Sequence, residues 1–291
     1  GSVFVLLGGI CWGFSGTCGQ YLFATEGVDS GWLTTVRMIS AGIILLTAAL
    51  IKNRPQVKGL LADKKDRWVL LFFSVFGIML CQYTYLTAIA YTNSGTATVL
   101  QYTGPVFILI VVCVQTMRLP TKKEVLSILF ALIGVFLIAT HGNIESLSIS
   151  PQGLFWGMMS AVMLMLYNII PVKLLEKWGS LAVSGTAMLL GGIILFFCTR
   201  FWHFSVAISW NLVLGIAGIV LVGTVLSYSL FLIGLQDVGP VKASLLCCIE
   251  PVAAVFFAAV WMKTTFAFMD IAGIVFIMIT VLLLTKKEAP A

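Results

Sequence analysis

Apolar runs of about 20 residues follow one another along almost the whole chain, separated by short polar connections. Such a run, when helical, is long enough to cross a hydrocarbon core of about 30 Å. The sequence therefore predicts an all-α integral membrane protein with ten transmembrane helices. They are expected at roughly 3–24, 31–51, 68–89, 95–116, 122–140, 152–172, 180–199, 210–233, 240–262 and 266–285.

The composition agrees with this class. Of the 291 residues, 60% are hydrophobic and 10% are charged, against roughly 25% charged in soluble proteins. The net charge of +6 is therefore expected to set membrane orientation rather than to bind nucleic acid. The seven cysteines fall inside apolar runs, which indicates packing rather than disulfides. His141 and His203 are far apart, and no nucleotide fingerprint occurs, so we expect neither a metal nor a cofactor.

One stretch of sequence occurs twice. Residues 93–106 align without a gap with residues 239–252, at a shift of about 146 residues. This shift pairs Pro105 with Pro251, Gly104 with Glu250, Gly77 with Gly223 and Gln82 with Tyr228. Each copy holds five spans, an odd number, so the second copy must enter the membrane from the opposite side. We predict two inverted repeats, residues 1–145 and 146–291, forming one transport unit, an architecture typical of secondary transporters.

The distribution of Lys and Arg predicts the orientation, because basic residues concentrate in cytoplasmic connections. If the amino terminus is cytoplasmic, the outer connections hold only Arg200 and Lys263, and Arg37 lies within a span. The other basic residues then fall on the cytoplasmic side: Lys52, Arg54, Lys58, Lys64, Lys65, Arg67, Arg118, Lys122, Lys123, Lys173, Lys177, Lys242, Lys286 and Lys287. We therefore expect a multi-pass protein with both termini in the cytoplasm.

The chain resembles the EamA-type ten-helix members of the drug/metabolite transporter (DMT) superfamily over essentially its whole length. The residues that carry this resemblance are Trp12-Gly13 and Trp156-Gly157, Arg37, Gly104-Pro105 and Glu250-Pro251. The second copy departs from the first: where residues 37–45 are aligned with residues 187–195, Ala187 stands opposite Arg37. The resemblance implies a carrier of amino acids, amines or other small metabolites in the bacterial inner membrane, working without ATP. It does not name the cargo.

Glu250 is the sharpest candidate for function, because it lies within an apolar span and is followed by Pro251. A charge at mid-bilayer costs about 2.5–3.5 kcal/mol even on insertion scales, so it must face protein or a cavity. One interpretation is a carboxylate that binds a cationic or zwitterionic substrate, or a proton. The other is a structural carboxylate paired with a buried donor such as Arg37.

Other polar and aromatic side chains lie near the middle of the spans. They form a candidate substrate-binding set that could instead tie helices together, and the aromatic rings could hold an ammonium group: Trp12, Gln82, Tyr85, Gln101, Tyr102, Tyr167, Asn168 and Tyr228. Arg37, Lys242, Pro105 and Pro251 are assigned structural or gating roles. We expect Arg37 to bond loop carbonyls near the outer face, although it could bind a substrate carboxylate bidentately.

These features predict a secondary active transporter, not an enzyme, that moves an amino acid, amine or quaternary ammonium compound by alternating access. A proton or another cation is a candidate coupling partner, and one chain could act as a monomer or a dimer. Within transport, the alternative is a lipid-carrier or nucleotide-sugar exchanger, which would need several basic residues in the cavity. Outside transport, the alternative is an intramembrane enzyme, which needs a catalytic set, or a scaffold, which needs an attached domain.

Overall fold

The computed structural model describes residues 1–92, 94–146, 150–262 and 268–285. These residues form α-helices, two π-helical segments (Phe73–Met79 and Gly218–Leu226) and two 3₁₀ turns (Ile144–Ser146 and Phe201–His203). The α-helices are Ser2–Glu26, Ser30–Ala62, Lys64–Phe72, Leu80–Tyr91, Ser94–Gln101, Gly104–Gln115, Lys122–Thr140, Pro151–Ile169, Val172–Trp178, Ser180–Cys198, Trp210–Ala217, Ser227–Val238, Pro240–Leu246, Ile249–Met262 and Phe268–Thr285.

Nine stretches of the described residues are long and apolar enough to cross a membrane, and the shorter Phe268–Leu284 follows them. We number them spans 1 to 10: Ser2–Phe23, Ser30–Ala62, Lys64–Ala88, Thr96–Gln115, Lys122–Thr140, Pro151–Trp178, Ser180–Cys198, Trp210–Val238, Pro240–Trp261 and Phe268–Leu284. The predicted all-helical membrane fold is confirmed. The first two residues of the predicted tenth span lie outside the described part, as do Lys263, Lys286 and Lys287.

Span 2 is longer than predicted. Its helix continues past residue 51 to Ala62 and leaves helical geometry only at Asn53, where φ is −154° and ψ is 67°. Pro55 follows that kink, where the new helical turn needs no amide donor from it. The extra turns bury Val57 and Leu60. Burial of these two apolar side chains stabilises a helix in residues 52–62, a segment rich in Lys and Arg that the sequence analysis had placed in a connection.

Spans 4 and 9 are each broken at the same position of the two repeats. In span 4 the helix ends at Gln101 and resumes at Gly104, and in span 9 it ends at Leu246 and resumes at Ile249. Pro105 and Pro251 lie in the first turn of the resumed helices, where a proline's missing amide costs no hydrogen bond. At each break the chain makes one tighter turn, in which Thr103 N donates to Leu100 O and Cys248 N donates to Leu245 O, each at 3.2 Å.

Spans 3 and 8 share a second irregularity. Each contains a π-helical segment, and the shift of about 146 residues superimposes Phe73–Met79 on the central part of Gly218–Leu226. Each segment holds a glycine at a close contact: a Cβ on Gly223 would lie 2.2 Å from Ser15 Cβ, and one on Gly77 would lie 3.4 Å from Tyr167 Cα. Span 8 therefore packs against span 1, and span 3 packs against span 6.

The two halves are held together by spans from different repeats. Span 2 packs against span 7 through glycines, since a Cβ on Gly42 would lie 2.5 Å from Leu189 N and one on Gly185 would lie 2.5 Å from Leu46 N. Span 5 meets span 10 through Gly134 and Gly273. Close backbone contact at small residues is a common way for helices to associate in lipid, where no hydrophobic force acts between them.

Candidate functional site

A cavity of about 40 Å³ lies where the two broken helices meet. Its walls come from spans 1, 4, 6, 8 and 9, and thus from both repeats: Trp12, Gln101, Tyr102, Leu164, Tyr167, Asn168, Phe231, Ser244, Cys247 and Glu250. A volume of this size holds a few water molecules. One of the ten side chains is acidic and none is basic.

Glu250 is bonded to the broken helix of the other repeat. The Tyr102 hydroxyl lies 2.8 Å from Glu250 Oε2 and 3.4 Å from the carbonyl oxygen of Cys247. Glu250 also lies in the first turn of the helix Ile249–Met262, whose amino-terminal dipole favours a negative charge. Its side chain is half-buried, and it faces the cavity. The carboxylate is therefore held in place and retains lone pairs for a ligand.

Three aromatic rings of the lining, those of Trp12, Tyr167 and Phe231, pack against one another, and Tyr228 contacts the first two from outside the lining. The Trp12 ring lies 5.0 Å from Tyr228 and 4.9 Å from Phe231, measured between centroids, and the Tyr167 ring lies 5.8 Å and 5.6 Å from the same two rings. Phe73 stacks on Tyr167 from behind. Rings arranged beside a carboxylate can attract a cation through their faces.

Two buried polar atoms in the wall have no partner among the described residues. Tyr167 is 4% exposed and Asn168 is 1% exposed, yet the Tyr167 hydroxyl and Asn168 Oδ1 are unsatisfied. The Asn168 amide nitrogen donates to the Leu164 carbonyl at 2.9 Å. A buried polar atom without a partner costs about 1–3 kcal/mol. Both atoms are available to water or to a ligand.

Among the described residues, Arg37 bonds no loop carbonyl, contrary to our expectation. Its Nη2 donates instead to Gln82 Oε1 of span 3, and its guanidinium lies beside the Tyr228 hydroxyl. Within the described residues, no nitrogen of Arg37 is within 4.0 Å of a Glu250 oxygen. Arg37 therefore reaches the interior of the bundle, because the polar amide of Gln82 lies there, and it does not form the considered direct pair with Glu250.

The remaining candidates lie around the cavity rather than in its lining. The Tyr85 hydroxyl is 2.9 Å from Thr98 Oγ1 and joins span 3 to span 4. Lys242 is half-buried in the short helix that opens span 9. Pro105 and Pro251 are buried just beyond the breaks.

Four lining residues were missed by the sequence analysis: Leu164, Phe231, Ser244 and Cys247. The internal repeat could have found one of them, since Cys247 is the counterpart of Gln101. Phe231 follows Tyr228 by three residues, and Leu164 precedes Tyr167 by three, so each shares a helical face with a predicted residue.

Outside this site, the described structure has an apolar groove and no cluster of metal ligands. A groove of about 370 Å³ on the outer side of span 6 is lined only by apolar side chains: Pro151, Leu154, Phe155, Met158, Met159 and Val162. Among the described residues, no group of three or more His, Cys, Asp and Glu side chains could hold a metal ion.

A multi-pass helical bundle with paired broken helices around a polar cavity defines a membrane transporter. The particular family follows from comparison: the model of the EamA-like transporter family matches residues 1–140 and again residues 151–286. The chain belongs to that family. It is 37% identical over 287 residues to the uncharacterized inner membrane transporter YicL of Salmonella typhimurium, covering 98% of this chain and 95% of YicL.

More distant proteins agree with this assignment. The uncharacterized transporter YetK of Bacillus subtilis is 28% identical over 269 residues, covering 88% of this chain and 79% of YetK. A solved crystal structure superimposes with a TM-score of 0.81, covering 98% of this chain and 96% of the other at 16% identity. At that identity the superposition supports the fold alone.

Proposed function

We propose that the protein is a secondary active transporter for a small polar metabolite with a cationic group, which is an amino acid, an amine or a quaternary ammonium compound. The observation that carries this proposal is Glu250, a carboxylate that faces the cavity between the two helix breaks. The ring of Trp12 and its aromatic neighbours supply the second element of a cation site.

Alternating access follows from the architecture. The cavity of about 40 Å³ has room for only a few water molecules, so a cargo larger than these requires its walls to separate. Rocking of one repeat against the other, with the breaks in spans 4 and 9 as flexible points, would open it to either side. A bound cation and a proton would compete for the same carboxylate, which is the simplest route to coupled exchange.

The charge of the cavity argues against the lipid-carrier or nucleotide-sugar alternative. Those cargoes are anions and need several basic groups, but none of the ten lining residues is basic. The location in the bacterial cytoplasmic membrane, with both termini inside, is part of the same proposal. It rests on the basic residues of the connections and on a relative named as an inner membrane transporter.

The test compares Glu250→Gln with wild type. The substitution keeps the size and removes the charge, so affinity for a cationic probe should fall about ten- to hundredfold. Binding would be measured by thermal shift, because a ligand of the folded state raises its stability, and flux in proteoliposomes. The probes would be amino acids, linear amines and tetramethylammonium.

The matched control is Glu145→Gln, which makes the same change at an exposed site outside the cavity. Its affinity and flux should equal those of wild type. If Glu250→Gln folds and retains wild-type affinity for every probe that wild type binds, Glu250 is structural and the proposal fails.

A further inference from the structure

Arg37 lies between two residues that the internal repeat makes equivalent. The shift of about 146 residues pairs Gln82 of span 3 with Tyr228 of span 8, and Arg37 donates to the first and lies beside the second. Both partners follow the π-helical segments of their spans. Arg37, which has no basic counterpart in the second repeat, thus lies between two equivalent positions of the two repeats.

Among the described residues, no carboxylate lies within ion-pair distance of this cation. None of the ion pairs in the described residues includes Arg37. Gln82 offers only a neutral oxygen to this half-buried guanidinium, and a charge partly withdrawn from water without an anion is costly. The anion that is missing from the protein could be supplied by a ligand.

Two nitrogen donors at this position also have no acceptor among the residues that the structure describes. Arg37 Nε is buried and unsatisfied, and so is Gln82 Nε2, on a side chain that is 8% exposed. The orientation of the Gln82 amide follows from chemistry, because only its oxygen can accept from a guanidinium. Its nitrogen must therefore remain the free donor. A charged donor and an amide donor side by side suit an oxygen pair such as a carboxylate.

The position is connected to the cavity through Tyr228. The Tyr228 ring contacts Trp12 at 5.0 Å and Tyr167 at 5.8 Å between centroids, and both of those residues line the cavity with Glu250. The interior therefore has an acidic group at the break of span 9 and a basic group on span 2, with aromatic rings packed beside both. The direct hydrogen bond of Glu250 is to Tyr102 rather than to Arg37, so the two charges do not neutralise each other by contact.

We propose that Arg37 and Gln82 form an anion-binding subsite and that the cargo is a zwitterion, with its ammonium group at Glu250 and its carboxylate at Arg37 and Gln82. This inference rests on the proposed transport function and narrows it. A simple amine would leave Arg37 unpaired, and a simple anion would leave Glu250 facing no cation. A zwitterion satisfies both charges and the two free N–H groups.

The experiment uses matched probes that differ in one charge. A panel of amino acids is compared with the corresponding amino-acid amides, which keep the ammonium group and lack the carboxylate. Wild type should bind its best amino acid about ten- to hundredfold more tightly than the amide, as expected for hydrogen bonds to a charged group. Arg37→Gln should reduce this ratio to near one, whereas Glu250→Gln should weaken both members of the pair.

A second variant keeps the test decisive if Arg37→Gln does not fold. Gln82→Glu places a carboxylate next to Arg37 and so supplies the missing anion from the protein itself. It should raise the melting temperature and abolish the preference for amino acid over amide, because the subsite is then occupied. If Arg37 and Gln82 only tie spans 2 and 3 together, Gln82→Glu raises stability and leaves the preference as it was.

The outcomes separate this inference from the function beneath it. A further variant, Arg37→Lys, keeps the charge and removes the forked geometry of the guanidinium. The anion subsite is wrong, while a cation carrier stands, if wild type binds amides as well as amino acids. The same conclusion follows if Arg37→Gln, Arg37→Lys and Gln82→Glu all leave the ratio of amino-acid to amide affinity unchanged. If no compound with an ammonium group binds or is transported, the proposed function fails as well.

Discussion

Tyr102 illustrates at the residue scale how one side chain can link the two repeats. It lies in the tighter turn that interrupts the helix of span 4, and its hydroxyl donates to Glu250 at 2.8 Å across the boundary between the halves. The carboxylate thus has a partner when no ligand is bound. A ligand ammonium group would either bind Glu250 beside the Tyr102 hydroxyl or displace that hydroxyl. Removing the hydroxyl by mutation measures how much its bond stabilises the ligand-free protein.

Tyr102→Phe should lower the free energy of unfolding by about 1–3 kcal/mol, because a hydrogen bond to a charged acceptor is lost. The same change made in Glu250→Gln should cost less, since the acceptor is then neutral. Unfolding in detergent would be measured for the four proteins of this double-mutant cycle. Tyr83→Phe is the control, since Tyr83 is exposed and its ring packs against Trp156. Equal costs in both backgrounds would show that the Tyr102–Glu250 bond does not stabilise the protein.

At the element scale, the contact between spans 1 and 8 depends on Gly223. Gly223→Ala would place a methyl group 2.2 Å from Ser15 Cβ, which backbone movement must relieve, so we expect a loss of about 1–3 kcal/mol in the free energy of unfolding. Gly16→Ala on span 1 meets nothing within 4 Å and should be neutral or slightly stabilising. Thermal or chemical unfolding of both variants checks this, and a Gly223→Ala protein as stable as wild type would contradict it.

The helix breaks should be mobile elements of transport. Pro105→Ala with Pro251→Ala restores two amides that could bond the carbonyls of Gln101 and Cys247, four residues earlier, and so rejoin the helices across the breaks. We expect slower flux in proteoliposomes with a small change in melting temperature. A well-folded double variant with wild-type flux would show that the breaks are rigid features of the cavity wall.

At the scale of the whole molecule, the sequence predicts the fold better than it predicts the site. Hydropathy places the spans, and the repeated Pro105 and Pro251 mark the two breaks. Hydropathy and the repeated prolines do not tell how each helix is rotated about its axis. A helix that is apolar on all sides carries little amphipathic signal. Hence the sequence proposed Gln82 as a site residue but did not predict its bond to Arg37, and it missed Phe231, which contacts Trp12.

Polar links between connections fix which of them share a side of the membrane. Lys177, in the last turn of span 6, lies 2.8 Å from Asp63, just before span 3, and 2.6 Å from Asp66, in the first turn of span 3. The Lys177 ammonium and nearby backbone amides hold the pKa of the Asp63 carboxyl at about 2. On the other side, Ser209, before span 8, donates to Glu26 after span 1 at 2.9 Å. These links pair the connections and leave open which side faces the cytoplasm.

The basic residues decide the orientation, and labelling can test it. Leu61, beside the Lys177 link, is exposed in a segment rich in Lys and Arg, whereas Ile144 is exposed in the connection after span 5, where His141 to Pro151 contain no Lys or Arg. If both termini are cytoplasmic, a membrane-impermeant maleimide should label Ile144→Cys in intact cells and Leu61→Cys only after lysis. Neither change alters the charge that sets the orientation, and the background would carry Cys198→Ser, because Cys198 is an exposed native thiol. Labelling of Leu61→Cys in intact cells, with Ile144→Cys protected, would reverse the proposed orientation and place the basic segments outside.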